Sequence, residues 1–250
     1  MITIDPSKVC YIFDVDGTLT EPRKLIETQH EKALIKWAKN KQCFLATGSD
    51  FVKTTEQLTG DLLRCFKLIY CCMGNEVRNN NGECIKKNEL LTPEGLLDDL
   101  SYFLDKTDFK YKTGNHFEYR TGMLNFSVVG RNASHKQRSE YYKWDKQFLE
   151  RELIAKFINE KYHTIQCSIG GSISIDIIEK EKDKGQIIRQ LNSLGAKKVV
   201  FVGDRCFPGG NDHGIVNQLE NSDLLYKWYN VDGPKETFAL IKEKGIFNLF

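Results

Sequence analysis

The chain has 250 residues with 36 basic and 34 acidic side chains, a formal charge of +2, so a polyanion such as a nucleic acid is not expected as its partner. With 40% hydrophobic and 11% aromatic residues it has the means to build a core, which excludes global disorder. The longest stretch free of Asp, Glu, Lys and Arg runs from Tyr162 to Ile175 and is rich in Gly, Ser and other polar residues, so no membrane span is expected. Met1-Ile-Thr-Ile-Asp5 has neither the basic nor the apolar region of a secretory leader, which predicts a cytoplasmic protein. The eight cysteines (Cys10, Cys43, Cys65, Cys71, Cys72, Cys84, Cys167, Cys206) show no C-x-x-C spacing and mostly sit among apolar neighbours, which predicts reduced core thiols.

The first predicted element is Val9–Phe13, an apolar run closed by Asp14 and Gly17, as expected of a strand buried on both faces of a parallel sheet. A helix is predicted over Glu27–Lys39, a strand over Cys43–Ala46, a turn at Thr47-Gly48-Ser49, a helix over Phe51–Leu58 and a strand over Leu68–Cys72. Asn79-Asn-Asn-Gly82 marks a turn or linker, and beyond Tyr111 the period becomes two, with Leu124, Phe126 and Val128 alternating with Asn125 and Ser127. One long amphipathic helix is predicted from about Ser139 to Glu160. It is followed by Ile173, Ile175 and Ile177, which alternate with Ser172, Ser174 and Asp176. The βαβ rhythm then returns, with a helix over Lys184–Leu194, a strand over Val199–Gly203, a helix from about Asp212, a strand near Leu224 and a last helix from Pro234. The predicted fold is α/β: a parallel-sheet core of residues 1–79 and 184–250, interrupted by an α+β domain at 80–183 whose antiparallel sheet is covered on one side.

In open α/β sheets ligands bind beyond the carboxyl ends of the strands. Asp14 and Asp16 follow the first strand two residues apart, where two carboxylates repel and a divalent cation such as Mg²⁺ relieves the repulsion. Alone, this is also an ordinary acidic turn. A second acidic turn, Gly203-Asp-Arg-Cys-Phe-Pro-Gly-Gly-Asn-Asp-His213, offers Asp204 as a further ligand, with Asp212 near a helix cap as the plainer reading. Gly48 and Ser49 suit a phosphate through backbone donors and a hydroxyl, and Lys184 neutralises phosphate charge. Together these residues predict phosphoryl transfer through an aspartyl phosphate: Asp14 attacks phosphorus, Asp16 exchanges a proton with the leaving or attacking oxygen, and Mg²⁺ offsets the charge.

The motif order resembles the haloacid dehalogenase-like superfamily, with Asp14 to Thr18 as its first motif, Ser49 as the second, Lys184 as the lysine and Asp204 with Asp212 as the last acidic motif. Longer segments are similar to the eukaryotic phosphomannomutase family: Phe13–Arg23 (FDVDGTLTEPR), Gly48–Leu58 (GSDFVKTTEQL), Glu118–Arg131 (EYRTGMLNFSVVGR), Gly170–Asp176 (GGSISID) and Phe207–His213 (FPGGNDH). That resemblance implies a Rossmann-like core with an inserted cap for substrate specificity and dimerisation. It implies an isomerase interconverting α-D-mannose 1-phosphate and D-mannose 6-phosphate, with hexose 1,6-bisphosphate as activator. A cytosolic homodimer joined through the caps and feeding GDP-mannose synthesis is implied as well, with glucose phosphates as possible lesser substrates.

Residue by residue, the resemblance makes Asp14 the nucleophile and Asp16 the general acid and base, with Mg²⁺ held by Asp14, the Asp16 backbone carbonyl and Asp204. Arg23 contacts substrate from the core, Arg120, Arg131 and Arg138 hold the distal phosphate and sugar, and Ser174 and Asp176 bind hydroxyls or phosphate. A mutase grips a bisphosphate at both ends, and arginine offers bidentate donors for that purpose. The chain departs from the family at Cys72-Met-Gly-Asn-Glu76, where the family has E-N-G, and at Val216–Asp223, which does not align with the family's second, structural cation site. Two rivals remain: a sugar-phosphate phosphatase of the same superfamily, in which water attacks the aspartyl phosphate, and a non-catalytic sugar-phosphate-binding protein.

Overall fold

The computed structural model describes residues 3–242; residues 1–2 and 243–250, the ends of the expected core segments, lie outside it. Two compact units result, one holding the chain up to Lys87 and again from Glu181, the other Asn88–Lys180.

The first unit opens with β1 (Val9–Phe13), α1 (Thr28–Ala38), β2 (Gln42–Ala46), α2 (Phe51–Gln57), α3 (Gly60–Leu63), β3 (Phe66–Cys71), β4 (Glu76–Asn79) and β5 (Cys84–Lys87). In the second unit follow α4 (Leu96–Lys106), β6 (Phe117–Arg120), β7 (Met123–Phe126), α5 (His135–Phe148), α6 (Glu150–Lys161), β8 (Ile165–Gly170) and β9 (Ser174–Glu179). The chain returns to the first unit with α7 (Gln186–Ser193), β10 (Lys198–Gly203), α8 (His213–Glu220), β11 (Leu225–Asn230) and α9 (Pro234–Lys242).

The first unit's sheet has the order β11-β10-β1-β2-β3-β4-β5, parallel from β11 to β3 and closed by the antiparallel β4–β5 hairpin. Successive side chains alternate between its two faces. Tyr11, Phe13, Cys43, Leu45, Ile69 and Val202 pack on one side with Leu34 of α1 and Phe238 of α9. Cys10, Ile12, Phe44, Ala46, Tyr70 and Phe201 pack on the other with Ile187 and Leu191 of α7 and Ile215 and Leu219 of α8. Strand order reverses at β1, which lies between β10 and β2, so the crevice at a topological switch opens beyond Phe13. Six of the eight cysteines are buried; Cys65 is half-buried and Cys84 exposed.

The second unit has an antiparallel sheet of order β6-β7-β9-β8. Leu124, Phe126, Ile165, Cys167, Ile175 and Ile177 cover one face with Leu96 and Leu100 of α4 and Ile154 and Ile158 of α6. The other face presents Glu118, Asn125, Asp176 and Ser168 in one row across the four strands, as the paired register requires.

Two sequence expectations are corrected. The sequence places the inserted region at 80–183, but the compact unit spans Asn88–Lys180, because β4 pairs antiparallel with β3 and β5 with β4, which continues the core sheet. The single long helix from Ser139 to Glu160 is two helices broken at Leu149, whose φ is +56°. At the break Asp145 accepts the Arg151 N–H at 2.9 Å and the Arg151 Nε–H at 2.9 Å, a buried pair that ties the two helices together across Leu149.

Candidate active site

Asp14 follows β1 directly, and its N–H donates to the Val202 carbonyl at 3.0 Å, so strand geometry carries one residue past Phe13 and sets the Asp14 side chain beside the end of β10. Lys184 Nζ donates to Asp14 Oδ1 and to Asp212 Oδ1, each at 2.6 Å, and all three residues are buried. Carboxylate oxygens of Asp14, Asp204 and Asp212 lie within 4.8 Å of one another. Thr18 Oγ1 adds a hydrogen bond to Asp14 Oδ2 at 3.4 Å.

Two glycines make this crowding possible. A Cβ on Gly17, whose φ is +80°, would lie 2.5 Å from Asp204 Oδ2, and a Cβ on Gly203 would lie 2.5 Å from Asp212 Oδ2.

Burial pushes the Asp14 carboxyl up to about 7 against the pull of Lys184, with Asp212 and Asp204 adding to the rise. Burial alone would lower the Lys184 ammonium, but Asp14 and Asp212 outweigh it and hold the lysine protonated. Asp204 is also raised, first by burial and then by Asp212. Three carboxylates around one ammonium leave a negative, partly buried pocket of hard oxygen donors, a set that fits a hard divalent cation.

Asp16 projects into a different set of contacts. Its Oδ1 accepts the Arg23 N–H and Gln57 Nε2, both at 2.8 Å, and its Oδ2 accepts Ser49 Oγ at 3.3 Å. Asp16 and Ser49, far apart in sequence, are thus brought together, while the Asp16 carboxylate stays outside the three-carboxylate cluster. Ser49 N–H donates to Thr47 Oγ1 at 3.0 Å, and Gly48 is exposed beside it. Arg23 has φ +62° and an exposed side chain; only its backbone is tied to Asp16.

Within the second unit, Arg131 Nε lies 2.8 Å from Glu118 Oε2 while its Nη1 donates to Ser174 Oγ at 3.2 Å. Arg120 grips the same Glu118 through Nε at 3.1 Å and Nη2 at 2.9 Å. Arg138 Nε donates to the Ala133 carbonyl at 2.8 Å, and its Nη2 to the Arg131 carbonyl, so it braces the loop that carries Arg131. Asp176 accepts from Asn125; burial raises its carboxyl, opposed by Asn125, Arg120 and Arg131. Four of the five expected residues, Arg120, Arg131, Ser174 and Asp176, therefore form one cluster with Glu118, and Arg138 supports it through the backbone.

The sequence marks Asp212 only as part of the last acidic motif, with a helix cap as its plainer reading, and misses Gln57. Asp212 is at the N-cap position of α8, but its side chain makes no capping bond and instead holds Lys184. Its signal was the Gly203-Asp204 pair, since a glycine at 203 is what admits it. Gln57, 3% exposed at the end of α2, bridges Asp16 and Thr20 Oγ1, the latter at 3.1 Å; a buried amide on a helix predicted from apolar spacing gives no such signal.

A family model described as eukaryotic phosphomannomutase matches residues 30–248. Phosphomannomutase 1 of Dictyostelium discoideum is 30% identical over 250 residues, covering 97% of this chain and 98% of that protein. A phosphomannomutase of Solanum lycopersicum is 35% identical over 234 residues, 90% of each chain. Among solved structures, a Plasmodium falciparum IMP-nucleotidase superposes with a TM-score of 0.60 at 16% identity, covering 97% of this chain and 67% of that one. A haloacid dehalogenase-like hydrolase from Bacteroides thetaiotaomicron gives 0.58 at 14% identity over 97% and 100%. At such identities the structures speak for the fold alone. The matches in sequence span both units, and on them the chain belongs to the eukaryotic phosphomannomutase family.

Proposed function

We propose that the protein is a phosphomannomutase, an isomerase that interconverts α-D-mannose 1-phosphate and D-mannose 6-phosphate through a phosphorylated Asp14 and a hexose 1,6-bisphosphate, with glucose phosphates as lesser substrates. The observation that carries this reading is the buried Asp14 at the carboxyl end of β1, paired with Lys184, with Asp16 two residues on.

As a carboxylate, Asp14 attacks the phosphorus of the bisphosphate. The new O–P bond forms as the bond from phosphorus to the sugar oxygen breaks. Asp16 supplies the proton that the departing sugar oxygen takes up, and in the return step removes the proton from the hydroxyl that attacks the aspartyl phosphate. Gln57, the Arg23 amide and Ser49 aim the Asp16 carboxylate through their hydrogen bonds. Lys184, Ser49 and the Gly48 backbone face the phosphoryl oxygens and offset their charge. Asp14, the Asp16 carbonyl and Asp204 are the residues that would hold Mg²⁺, with Asp212 at their side; the ion, when bound, neutralises charge on the transferred group.

A mutase needs a second grip, because one phosphate is transferred while the other anchors the sugar. Arg131 and Arg120, with Arg138 behind them, supply that grip in the unit at 88–180, and Ser174 and Asp176 take sugar hydroxyls or phosphate; Arg23 contacts substrate from the core. The same unit serves as the cap through which a cytosolic homodimer forms, and its exposed Tyr102, Phe148, Leu153 and Phe157 support that reading. The product supplies GDP-mannose synthesis. Among the described residues no helix is long and apolar enough to cross a membrane.

Mass spectrometry after an acid quench tests the covalent step. Incubation with glucose 1,6-bisphosphate and Mg²⁺ should add one phosphoryl group to the peptide bearing Asp14 and none in Asp14→Asn; a label on another residue would remove Asp14 as nucleophile.

A further inference from the structure

The segment that departs from the family pattern, Cys72 to Glu76, leaves β3 through three successive residues in the left-handed region: Cys72 at φ +50°, Met73 at +60° and Gly74 at +92°. Two of the three carry side chains, a strained arrangement that persists only where the surroundings over-determine it. On one side the Cys72 N–H donates to the Ser49 carbonyl at 2.9 Å and the Met73 N–H to the Thr47 carbonyl at 3.0 Å.

On the other side two buried amides hold the turn to the segment before Lys184. Asn75 Nδ2 donates to the Cys72 carbonyl at 3.0 Å and the Lys182 carbonyl at 3.2 Å. Gln186 Nε2 donates to the Met73 carbonyl at 2.9 Å and the Lys182 carbonyl at 2.8 Å. Gly74 fits closely against this contact, since a Cβ there would lie 3.0 Å from Gln186 Cγ.

The turn therefore joins two stretches of chain that meet nowhere in sequence: the loop bearing Ser49 and the loop bearing Lys184. Relaxing Cys72 and Met73 to right-handed backbone would swing their N–H groups away from Thr47 and Ser49. It would also turn the Cys72 and Met73 carbonyls away from the Asn75 and Gln186 amides that bond them.

We propose that Asn75 and Gln186 are positioning residues that, acting through the strained turn at 72–74, fix the spacing between Ser49 and Lys184 so that both meet one phosphoryl group. The proposal rests on the phosphomutase reading and says which residues outside the reacting set keep its phosphate site in register.

Gln186→Met keeps the length of the side chain and removes its donors. In the Mg²⁺-loaded protein, calorimetric titration with orthovanadate, a mimic of the transferring phosphoryl group, should show binding weakened about tenfold, and kcat should fall roughly 10- to 100-fold. KM for mannose 1-phosphate should stay within about twofold, because distal-phosphate binding does not pass through the turn. Combined with Ser49→Ala, the variant should lose less than the two separate losses multiplied, as residues acting through one another do.

Asn75→Ala removes the donor on the neighbouring side, should give the same pattern, and serves if Gln186→Met does not fold. Folded variants with unchanged vanadate affinity and kcat, or with only a lowered Tm, would overturn the proposal. If the native protein itself fails to bind vanadate, the phosphate-site reading falls and the positioning role with it.

Discussion

Lys184 Nζ lies 2.6 Å from Asp14 Oδ1, and the lysine side chain has no exposure to water. A bare ammonium at that depth would lose its proton to escape desolvation. Here two carboxylates, Asp14 and Asp212, make the charged form the favoured one.

Lys184→Met leaves Asp14 and Asp212 without their shared cation. Removing one partner of a buried ion pair costs about 3–5 kcal/mol. Urea denaturation should show a loss of that order together with loss of turnover, and a loss under about 1 kcal/mol would mean that the carboxylates find another partner.

Gly17→Ala places a methyl 2.5 Å from Asp204 Oδ2 at a residue whose φ is +80°. The carboxylate must move out of the three-oxygen cluster. The native protein should gain about 2.7 kcal/mol of stability at Mg²⁺ a hundredfold above its Kd, and the variant little or none. Thermal melts with and without the ion, read independently of activity, decide the point.

Arg131→Lys tests the bidentate role. Arg131 meets Glu118 with Nε and Ser174 with Nη1 at once, a geometry set by the planar guanidinium that a single ammonium does not reproduce. KM for mannose 1-phosphate should rise about tenfold with a smaller change in kcat, corresponding to about 1.4 kcal/mol of binding. Equal losses in kcat and kcat/KM would place Arg131 in the transition state alone.

His30 gives the core a pH dependence. Its ring stacks on Phe238, centroids 4.0 Å apart and planes 3° from parallel, and burial lowers its pKa below 6.5 although Glu27 works in the opposite direction. The unfolded chain therefore takes up this proton more readily than the native one. The contribution is intact above pH 6.5 and is lost as pH falls from there towards the lower native value. Urea midpoints at pH 7.5 and 5.5 should fall less in His30→Phe than in the native protein, and equal falls would assign the acid sensitivity elsewhere.

The parallel core and the placing of most candidate site residues at strand ends were legible because each rests on local pattern. β1 is an uninterrupted apolar run, Asp14 and Asp16 follow it at strand spacing, and Ser174 and Asp176 alternate with isoleucines that reach the second unit's core. What was not legible depends on partners distant in sequence or on backbone geometry. The break at Leu149 rests on the buried Asp145–Arg151 pair and a left-handed leucine, neither of which disturbs the helical spacing of apolar residues. The turn at Asn79–Gly82 is legible, but that the β4–β5 hairpin around it joins the core sheet depends on the pairing of β4 with β3. The last acidic motif includes Asp212, but its bond to Lys184 depends on the room that Gly203 leaves, and the work of Asn75 and Gln186 is visible only once the carbonyls they hold are brought together.

The reaction itself is tested most directly by phosphorus NMR of the Mg²⁺-loaded protein with mannose 1-phosphate and a catalytic amount of glucose 1,6-bisphosphate. Mannose 6-phosphate should accumulate to equilibrium with little inorganic phosphate, and the conversion should vanish in Asp14→Asn. Release of inorganic phosphate without the isomer would make the protein a sugar-phosphate phosphatase, and no turnover of either kind would make it a binding protein; either result contradicts the mutase.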